Sequence, residues 1–173
     1  MATFRVDDLK SRLPGGGARA NLFKVSVTFP YGGDTEQTSF MCKAASLPGS
    51  VIGQIDVPFR GRQLKVAGDR TFENWNMTVL NDNAFDVRDS FETWMNVMNE
   101  HDQGTGALNP ADYQQTIIVD QLDRQDNVVK SIEIVGAFPV NLSAIDLAYE
   151  TTDAIEEFTV EFAYQYWKTN TTT

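Results

Sequence analysis

The sequence predicts a mainly β protein, an antiparallel β-sandwich or β-barrel with one flanking α-helix at about residues 83–98. Apolar and polar residues alternate with a period of two in several segments, which is typical of strands with one buried face. One segment instead has apolar residues at steps of three and four, and clusters of Gly, Pro, Asp and Asn predict the turns. With 173 residues, 42% of them hydrophobic, the chain fits a single domain, residues 1–173, with a sizeable core.

Residues 1–21 are predicted to form an arm ahead of the first strand. A short helical turn around Val6–Leu13 ends at Pro14-Gly15-Gly16-Gly17. This glycine run lacks the Gly-Lys-Ser/Thr ending of a phosphate-binding loop and no strand precedes it, so we interpret it as a flexible hinge. Apolar residues then alternate with polar ones from Phe23 to Phe29 in a predicted strand, and Gln37–Lys43 is expected to return as its hairpin partner.

Residues 46–66 are predicted to form a long extended excursion of two arms that reaches away from the core. Val51–Val57 is rich in β-forming residues, Pro58 interrupts the pattern, and Phe59–Val66 carries three cations within six residues. Extended segments with exposed edges are commonly covered by a partner, so we expect this one to make a protein–protein contact. The candidate contact residues are Leu47, Val51, Ile55, Phe59, Arg60, Arg62, Lys65 and Arg70.

The helix predicted at about residues 83–98 follows a short strand at Trp75–Val79. Asn81-Asp82-Asn83 offers candidate N-caps for it. Its apolar residues fall on one stripe, so the helix should lie on a sheet. The stripe consists of Ala84, Val87, Phe91, Trp94 and Met98.

The rest of the chain is predicted to alternate between strands and polar segments. A polar loop is expected at residues 99–115, and the turn Asp123–Asn127 is expected to join two strands. The Thr-rich tail Thr169–Thr173 is expected to fray. Strands are predicted at Thr116–Gln121, Val128–Val135 and Ile145–Tyr149, and a last strand should place Phe158, Val160, Phe162, Tyr164 and Tyr166 on one face.

Residues suited to catalysis or metal binding are scarce. One cysteine, Cys42, and one histidine, His101, are too few for a zinc or iron site, and we expect a buried apolar cysteine and a solvated loop histidine. The sequence has no nucleophile elbow, Cys–His couple or dinucleotide fingerprint, so we expect no enzyme activity and no cofactor. It has no run of about 18 apolar residues, so we expect no membrane insertion.

The net charge of −10 is unevenly distributed along the chain. Residues 1–70 carry ten Lys/Arg and six Asp/Glu, whereas residues 71–173 carry four and eighteen. So acidic a chain argues against a nucleic-acid binder, because phosphate contacts need clustered Lys and Arg. If the two charges stay apart in the fold, a basic face of one copy can meet an acidic face of the next, which suits head-to-tail assembly. The alternative is that the fold brings basic and acidic residues side by side, so that no face of the protein is mainly of one charge.

The segment Val66–Asp82 resembles the signature segment of the tail tube proteins of contractile-tailed, T-even-type bacteriophages. A run of this length is hard to match by accident, and the resemblance covers roughly residues 19–167. The other matching stretches are Arg19–Phe23, Phe40–Gly49, the helix with Arg88, Phe91 and Trp94, and Ile132–Pro139.

This resemblance implies a structural subunit of a virion, assembled in the host cytoplasm. Six copies would form a ring, and stacked rings would form a hollow tube inside a contractile sheath, with baseplate and tail-terminator proteins at its ends. The tape-measure protein and, transiently, genomic DNA would occupy the lumen, where Asp146, Glu150 and Asp153 would repel phosphate. The alternatives are a tube initiator or terminator paralogue, or the tube protein of a related contractile injection or type VI secretion system.

Overall fold

The computed structural model describes residues 5–13 and 16–172 of the chain. Its helices, in chain order, are α1 (Val6–Arg12), α2 (Thr35–Met41), α3 (Asp86–Met98) and α4 (Pro110–Tyr113). Its strands are β1 (Phe23–Val27), β2 (Cys42–Ala45), β3 (Val51–Phe59), β4 (Arg62–Thr71), β5 (Trp75–Leu80), β6 (Gln115–Leu122), β7 (Val128–Leu142), β8 (Glu157–Ala163) and β9 (Tyr166–Thr169). The mainly β, antiparallel fold predicted from the sequence is confirmed.

Seven of the strands form one antiparallel sheet in the order β1-β6-β7-β8-β5-β2, with β9 paired to β7. The first part of β7 pairs with β6 and β9, and its last part pairs with β8. Gly136 lies where β7 changes partners, and its φ of +67° is one that glycine adopts without strain. A Cβ atom there would lie 2.7 Å from Cγ of Gln165, so the change of partner also needs the space that glycine leaves. Strand β7 thus joins two halves of the sheet, one formed with β1, β6 and β9 and the other with β8, β5 and β2. These halves share one core.

The core combines side chains from both halves of the sheet with one face of α3, so the helix lies on the sheet as predicted. Phe91 of α3 is fully buried, and its ring centroid lies 5.0 Å from that of Phe29 and 5.9 Å from that of Phe162. Trp94, on the same face, donates a hydrogen bond from Nε1 to the carbonyl oxygen of Tyr113 (2.9 Å). An aromatic cluster therefore joins the helix to the strands.

Replacing Phe91 with Ala is expected to lower the free energy of unfolding by about 3–5 kcal/mol, because the lost ring leaves a cavity at the centre of this cluster. Urea unfolding followed by circular dichroism measures the change. Thr93→Ala, at an exposed position of the same helix, is the matched control and should change the free energy by no more than about 0.5 kcal/mol. Equal losses in the two variants would contradict this description of the core.

The prediction of a strand at Gln37–Lys43 is wrong for most of this segment. Thr35–Met41 is helical because the Asp34 side chain caps it, accepting hydrogen bonds from two backbone N–H groups of the first turn, at 2.9 and 3.0 Å. Strand β2 begins only at Cys42, and it pairs with β5 rather than with β1.

The N-caps predicted for α3 are also wrong. The helix begins at Asp86, after Phe85 in a left-handed conformation (φ +61°), and no side chain caps it. The Asn81 side chain instead donates a hydrogen bond to Oε2 of Glu156 (3.1 Å), which ties this segment to the end of another loop. Ala84, predicted to belong to the apolar stripe, precedes the helix and is exposed.

Two strand predictions fail in the C-terminal half. Ile145–Tyr149 forms no strand and lies in the loop between β7 and β8. The predicted last strand is broken, because β8 ends at Ala163 and Tyr166 belongs to β9, which pairs with the first part of β7. The strands predicted at Thr116–Gln121 and Val128–Val135 are confirmed, and the second continues to the end of β7.

The loop expected at residues 99–115 contains a short helix, α4, whose first turn is capped by Asn109. The C-terminal tail is not frayed over residues 169–172. Thr169 is buried, and its hydroxyl lies 2.8 Å from that of Thr171.

The helical turn predicted near the N-terminus is confirmed as α1, whereas Pro14 and Gly15 of the predicted hinge lie outside the described residues. In the described ranges, 5–13 and 16–172, no helix has the length and hydropathy needed to cross a membrane.

Candidate assembly interface

Strands β3 and β4 form a two-stranded ribbon, residues Val51–Thr71, which is solvent-exposed along almost its whole length. Within the part of the chain that the structure describes, these strands pair with each other and with no other strand. Arg60 and Gly61 form the connecting turn, with φ values of +46° and +80°, as two-residue hairpin turns of type I′ require. Pro58 does not interrupt β3, because an outer strand tolerates a residue that donates no hydrogen bond. At about 3.3 Å per residue, the ribbon extends roughly 30 Å.

The register of the ribbon gives it one apolar and one polar face. Ile55 lies opposite Val66, Val57 opposite Leu64, and Phe59 opposite Arg62. Side chains that are directly opposite share a face, and alternate residues point to the other face. The apolar residues of the first face are Ile55, Val57, Phe59, Leu64 and Val66, which are 43–67% exposed, and Arg62 shares this face at the tip of the ribbon. The polar face carries Gln54, Asp56, Gln63 and Lys65 together with Pro58 and Ala67.

Two indole groups fix the segment that leads into the ribbon. Nε1 of Trp75 donates a hydrogen bond to the carbonyl oxygen of Ser46 (2.6 Å), and Nε1 of Trp167 donates one to the carbonyl oxygen of Gly49 (3.1 Å). Trp75 is buried in the core, so the position of the ribbon is tied to the sheet. The ribbon is therefore presented at a defined place rather than on a free linker.

Replacing Trp167 with Phe is expected to raise the protein concentration needed for self-assembly about tenfold, corresponding to about 1.4 kcal/mol, because the ribbon loses one of its two anchors. The free energy of unfolding should fall by only about 0.5–1.5 kcal/mol, the contribution of one hydrogen bond. Light scattering against concentration, with urea unfolding in parallel, measures both quantities.

Trp94→Phe is the matched control for this prediction, since it removes an indole hydrogen bond that does not touch the ribbon segment. It should lower stability without changing the assembly concentration. If both variants weaken assembly equally, the Trp167 anchor has no specific role.

The structure brings the eight predicted contact residues onto one exposed element or its entry. Leu47 lies in the entry segment, Arg60 lies in the turn, and the others lie on β3 or β4. The guanidinium of Arg60 lies 5.4 Å from the centre of the Phe59 ring. Lys65 points to the polar face, where it lies opposite Asp56. Their role as contacts stays a prediction.

Sequence reasoning missed three members of the apolar face, Val57, Leu64 and Val66. The signal that could have found them is the turn at Arg60–Gly61, which sets the register. From that turn, alternation along both strands assigns the apolar residues from Ile55 to Val66, apart from Pro58, to the same face.

The predicted lumen-facing acids all lie on the β7–β8 loop, residues 143–156. The loop is held at its start, where the backbone N–H of Ser143 donates to the carbonyl oxygen of Thr159 (2.9 Å). It is held at its end, where the backbone N–H of Asn81 donates to the carbonyl oxygen of Glu156 (2.8 Å). Asp146, Glu150 and Asp153 are exposed between these two points. Their placement in a lumen stays a prediction.

The candidate residues for chemistry, Cys42 and His101, are isolated from other reactive groups. Burial raises the pKa of the half-buried Cys42 thiol to about 11, so the reactive thiolate is scarce at neutral pH. His101 is exposed, and its Nδ1 atom lies 3.1 Å from Oδ1 of Asn96. Residues 5–13 and 16–172 contain no group of three His, Cys, Asp or Glu side chains placed to hold a metal ion. The ribbon, by contrast, presents a long exposed surface that is suited to contact with another chain.

Residues 18–170 match the family model described as phage tail tube protein. The chain is 38% identical over 165 residues to the tail tube protein gp19 of Enterobacteria phage T4, a match that covers 94% of this chain and 99% of that protein. It is 31% identical over 170 residues to the tail tube protein of Serratia phage KSP90, covering 95% of each.

Solved structures with the same fold are distant in sequence. A chain of the anti-feeding prophage baseplate has a TM-score of 0.68 at 14% identity, over 88% of this chain and 95% of that chain. A chain of the sheath–tube complex of the extracellular contractile injection system PVC, in the extended state, has a TM-score of 0.55 at 15% identity, over 96% and 99%. At these identities the likeness shows a shared fold.

Proposed function

The chain belongs to the phage tail tube protein family, and from this membership we propose that six copies form a ring and that rings stack into a hollow tube. The curated relatives are structural tail tube proteins, not enzymes, and the chain matches them over nearly their whole length. The chain is therefore a structural component of a phage tail. The family match over residues 18–170 carries this conclusion, because it includes both the sheet and the ribbon.

The exposed ribbon supports self-association. A two-stranded hairpin is only marginally stable in water and normally needs further strands or a packing partner. Among the described residues, the ribbon's apolar face has no such partner. In a tube, a second copy of the chain would supply a packing partner to every ribbon. The eight candidate contact residues, Leu47 to Arg70, belong to that contact.

The outer strands of the sheet support ring closure. Strands β1 and β2 end the strand order, so each presents one edge that pairs with no other strand of the described chain. Unpaired edges are places where another chain can add its own strand. Edge pairing between neighbouring copies would continue the strands into one large barrel around a lumen.

The remaining partners follow from this assembly. The contractile sheath surrounds the tube, and baseplate and tail-terminator proteins hold its ends. The tape-measure protein and, transiently, DNA occupy the lumen, and assembly takes place in the host cytoplasm. A net charge of −10 supports the passage of DNA, because an acidic wall repels phosphate and does not hold it.

Two related functions compete with that of a main tube subunit. One is a tube initiator or terminator, and the other is the tube protein of a contractile injection or type VI secretion system. The match favours the main tube, because the relatives at 31–38% identity are named tail tube proteins. The similar injection-system structures share only 14–16% of their residues with this chain.

Negative-stain electron microscopy of the purified chain tests the proposal. Long hollow rods are expected across a range of protein concentrations. Single rings that never lengthen would favour an initiator or terminator instead. Monomers alone, at concentrations where related tube proteins assemble, would contradict self-assembly.

A further inference from the structure

The β7–β8 loop carries a second exposed apolar surface. Leu147 is 79% exposed, Ile155 is 69% exposed, and Tyr149 is fully exposed. Exposed apolar side chains grouped on one loop usually mark an interaction site. The start of the loop is hydrogen-bonded to Thr159 of β8 and its end to Asn81, the residue after β5, so the side chains are presented from a stable base.

The same loop is strongly acidic. Residues 143–156 contain four Asp or Glu residues and no Lys or Arg. Beside the loop lies an open groove of about 710 Å³, whose apolar lining includes Leu80, Leu147 and Ile155. Lys43 also lines this groove, but it forms an ion pair with Glu157, so the groove keeps an excess of negative charge.

The ribbon has the complementary character. It is elongated and apolar on one face, and residues 51–71 carry four Lys or Arg against two Asp. Two of these cations, Arg60 and Arg62, lie at the tip, where the apolar face ends at Phe59. An apolar strip with a basic tip fits an apolar groove with an acidic rim, since opposite charges also suppress wrong pairings.

We propose that the β7–β8 loop and its groove are the docking site for the ribbon of a second copy of the chain. Leu147, Tyr149 and Ile155 cover the apolar face of the ribbon, and Asp146 and Asp153 face its basic tip. Both surfaces are exposed in the single chain, so they do not cover each other within one copy. The proposal rests on the proposed function and names the partner surface that the ribbon meets in the tube.

This contact is heterologous, because the two copies contribute different surfaces. Each copy then has one ribbon and one groove, and such contacts repeat from copy to copy until they close into a ring or grow into a filament. The proposal also gives Asp146 and Asp153 a role that competes with lumen placement. A lumen wall that only repels DNA has no use for three large apolar side chains, whereas a contact does.

Charge reversal tests the pairing. The ribbon variant carries Arg60→Glu and Arg62→Glu, the loop variant carries Asp146→Lys and Asp153→Lys, and a third chain combines all four. Each of the first two should raise the protein concentration needed for tubes about tenfold, because attraction becomes repulsion at a partly solvated contact. The combined variant should assemble at nearly the concentration of the unmodified chain. Asp89→Lys with Asp102→Lys, two exposed acids elsewhere, is the control for net charge.

The outcomes separate this proposal from the proposed function. If the unmodified chain forms tubes and the loop variant assembles like the charge control, the docking site is wrong and the tube stands. If both reversed variants fail and the combined chain fails as well, the two surfaces do not meet. If the unmodified chain forms no tubes, the proposed function fails, and the docking site fails with it.

Crosslinking gives a second readout that does not depend on assembly strength. Cys42 is replaced by Ala, and Phe59→Cys is combined with Leu147→Cys, which places one thiol on each surface. A short bis-maleimide should join copies into covalent ladders in the assembled state. The control pairs Phe59→Cys with Leu108→Cys, a fully exposed position outside both surfaces. Ladders of equal yield in both, or none from the Leu147 pair, would overturn the proposal.

Discussion

Replacing residues 52–70 with Asn-Gly is expected to give a chain that folds as a monomer and forms no tubes at any concentration. Val51 and Thr71 are directly opposite in the ribbon, so their Cα atoms are about 5 Å apart and a two-residue turn can join them. The deletion removes no core side chain. The melting temperature should therefore stay within a few degrees of that of the unmodified chain, measured by circular dichroism.

A control for this deletion is a chain in which residues 52–70 keep their length but the polar face alone is changed, with Gln54→Asn and Gln63→Asn. It should assemble normally. Tubes of normal length from the deleted chain would show that the ribbon is dispensable for assembly.

The second large effect is expected from the apolar face of the ribbon. Val57→Asn with Leu64→Asn replaces a directly opposite pair at its centre. Burial of such side chains contributes about 1.5–3 kcal/mol each, so the concentration needed for assembly should rise roughly 100-fold or more. Sedimentation velocity across a dilution series measures it, with the polar-face variant, Gln54→Asn with Gln63→Asn, as the matched comparison.

The folded state of the apolar-face variant should be intact, because both side chains are already exposed in the single chain. A loss of assembly that is no larger than that of the polar-face variant would mean that the apolar face stays in water within the tube. The ribbon would then contact other copies through another surface, such as the unpaired edges of its two strands.

Strands were predictable from the sequence wherever the sheet buries one face. Val25 and Val27 in β1, and Trp75, Met77 and Val79 in β5, are buried at every second residue, and that spacing is visible in the sequence. The helical stripe was predictable for the same reason, since Phe91 and Trp94 must both reach the core. A strand or helix that buries one face must place apolar residues at the spacing of that face. The spacing of apolar residues in the sequence therefore indicates which face is buried.

The secondary-structure predictions fail where local hydrogen bonds or tertiary geometry determine the conformation of the chain. Asp34 caps α2, so Phe40 lies on the exposed face of a helix rather than in a hairpin strand. The alternation of apolar residues continues through Tyr164 to Tyr166. Because β7 changes partner at Gly136, however, the strand breaks between Ala163 and Tyr166, where β8 ends and β9 begins. A period alone does not report such a change of partner.

The candidate interface was only half visible in the sequence. An exposed excursion could be inferred from its β-forming residues and its cations, but its two faces depend on a register that the Arg60–Gly61 turn sets. The apolar surface of the β7–β8 loop was missed, because Ile145–Tyr149 was interpreted as a strand, whereas it lies in a loop. Which of its residues are exposed depends on the two fixed ends of the loop.

Hydrogen–deuterium exchange of the ribbon amides tests most directly the claim that the ribbon is covered by another copy in a tube. Exchange is compared between the monomer, held below the assembly concentration, and the assembled tube. Residues 51–71 should exchange rapidly in the monomer, because the two strands pair only with each other among the described residues. In the tube they should be strongly protected. Rapid exchange of the ribbon in both states, with protection gained only elsewhere, would contradict the account.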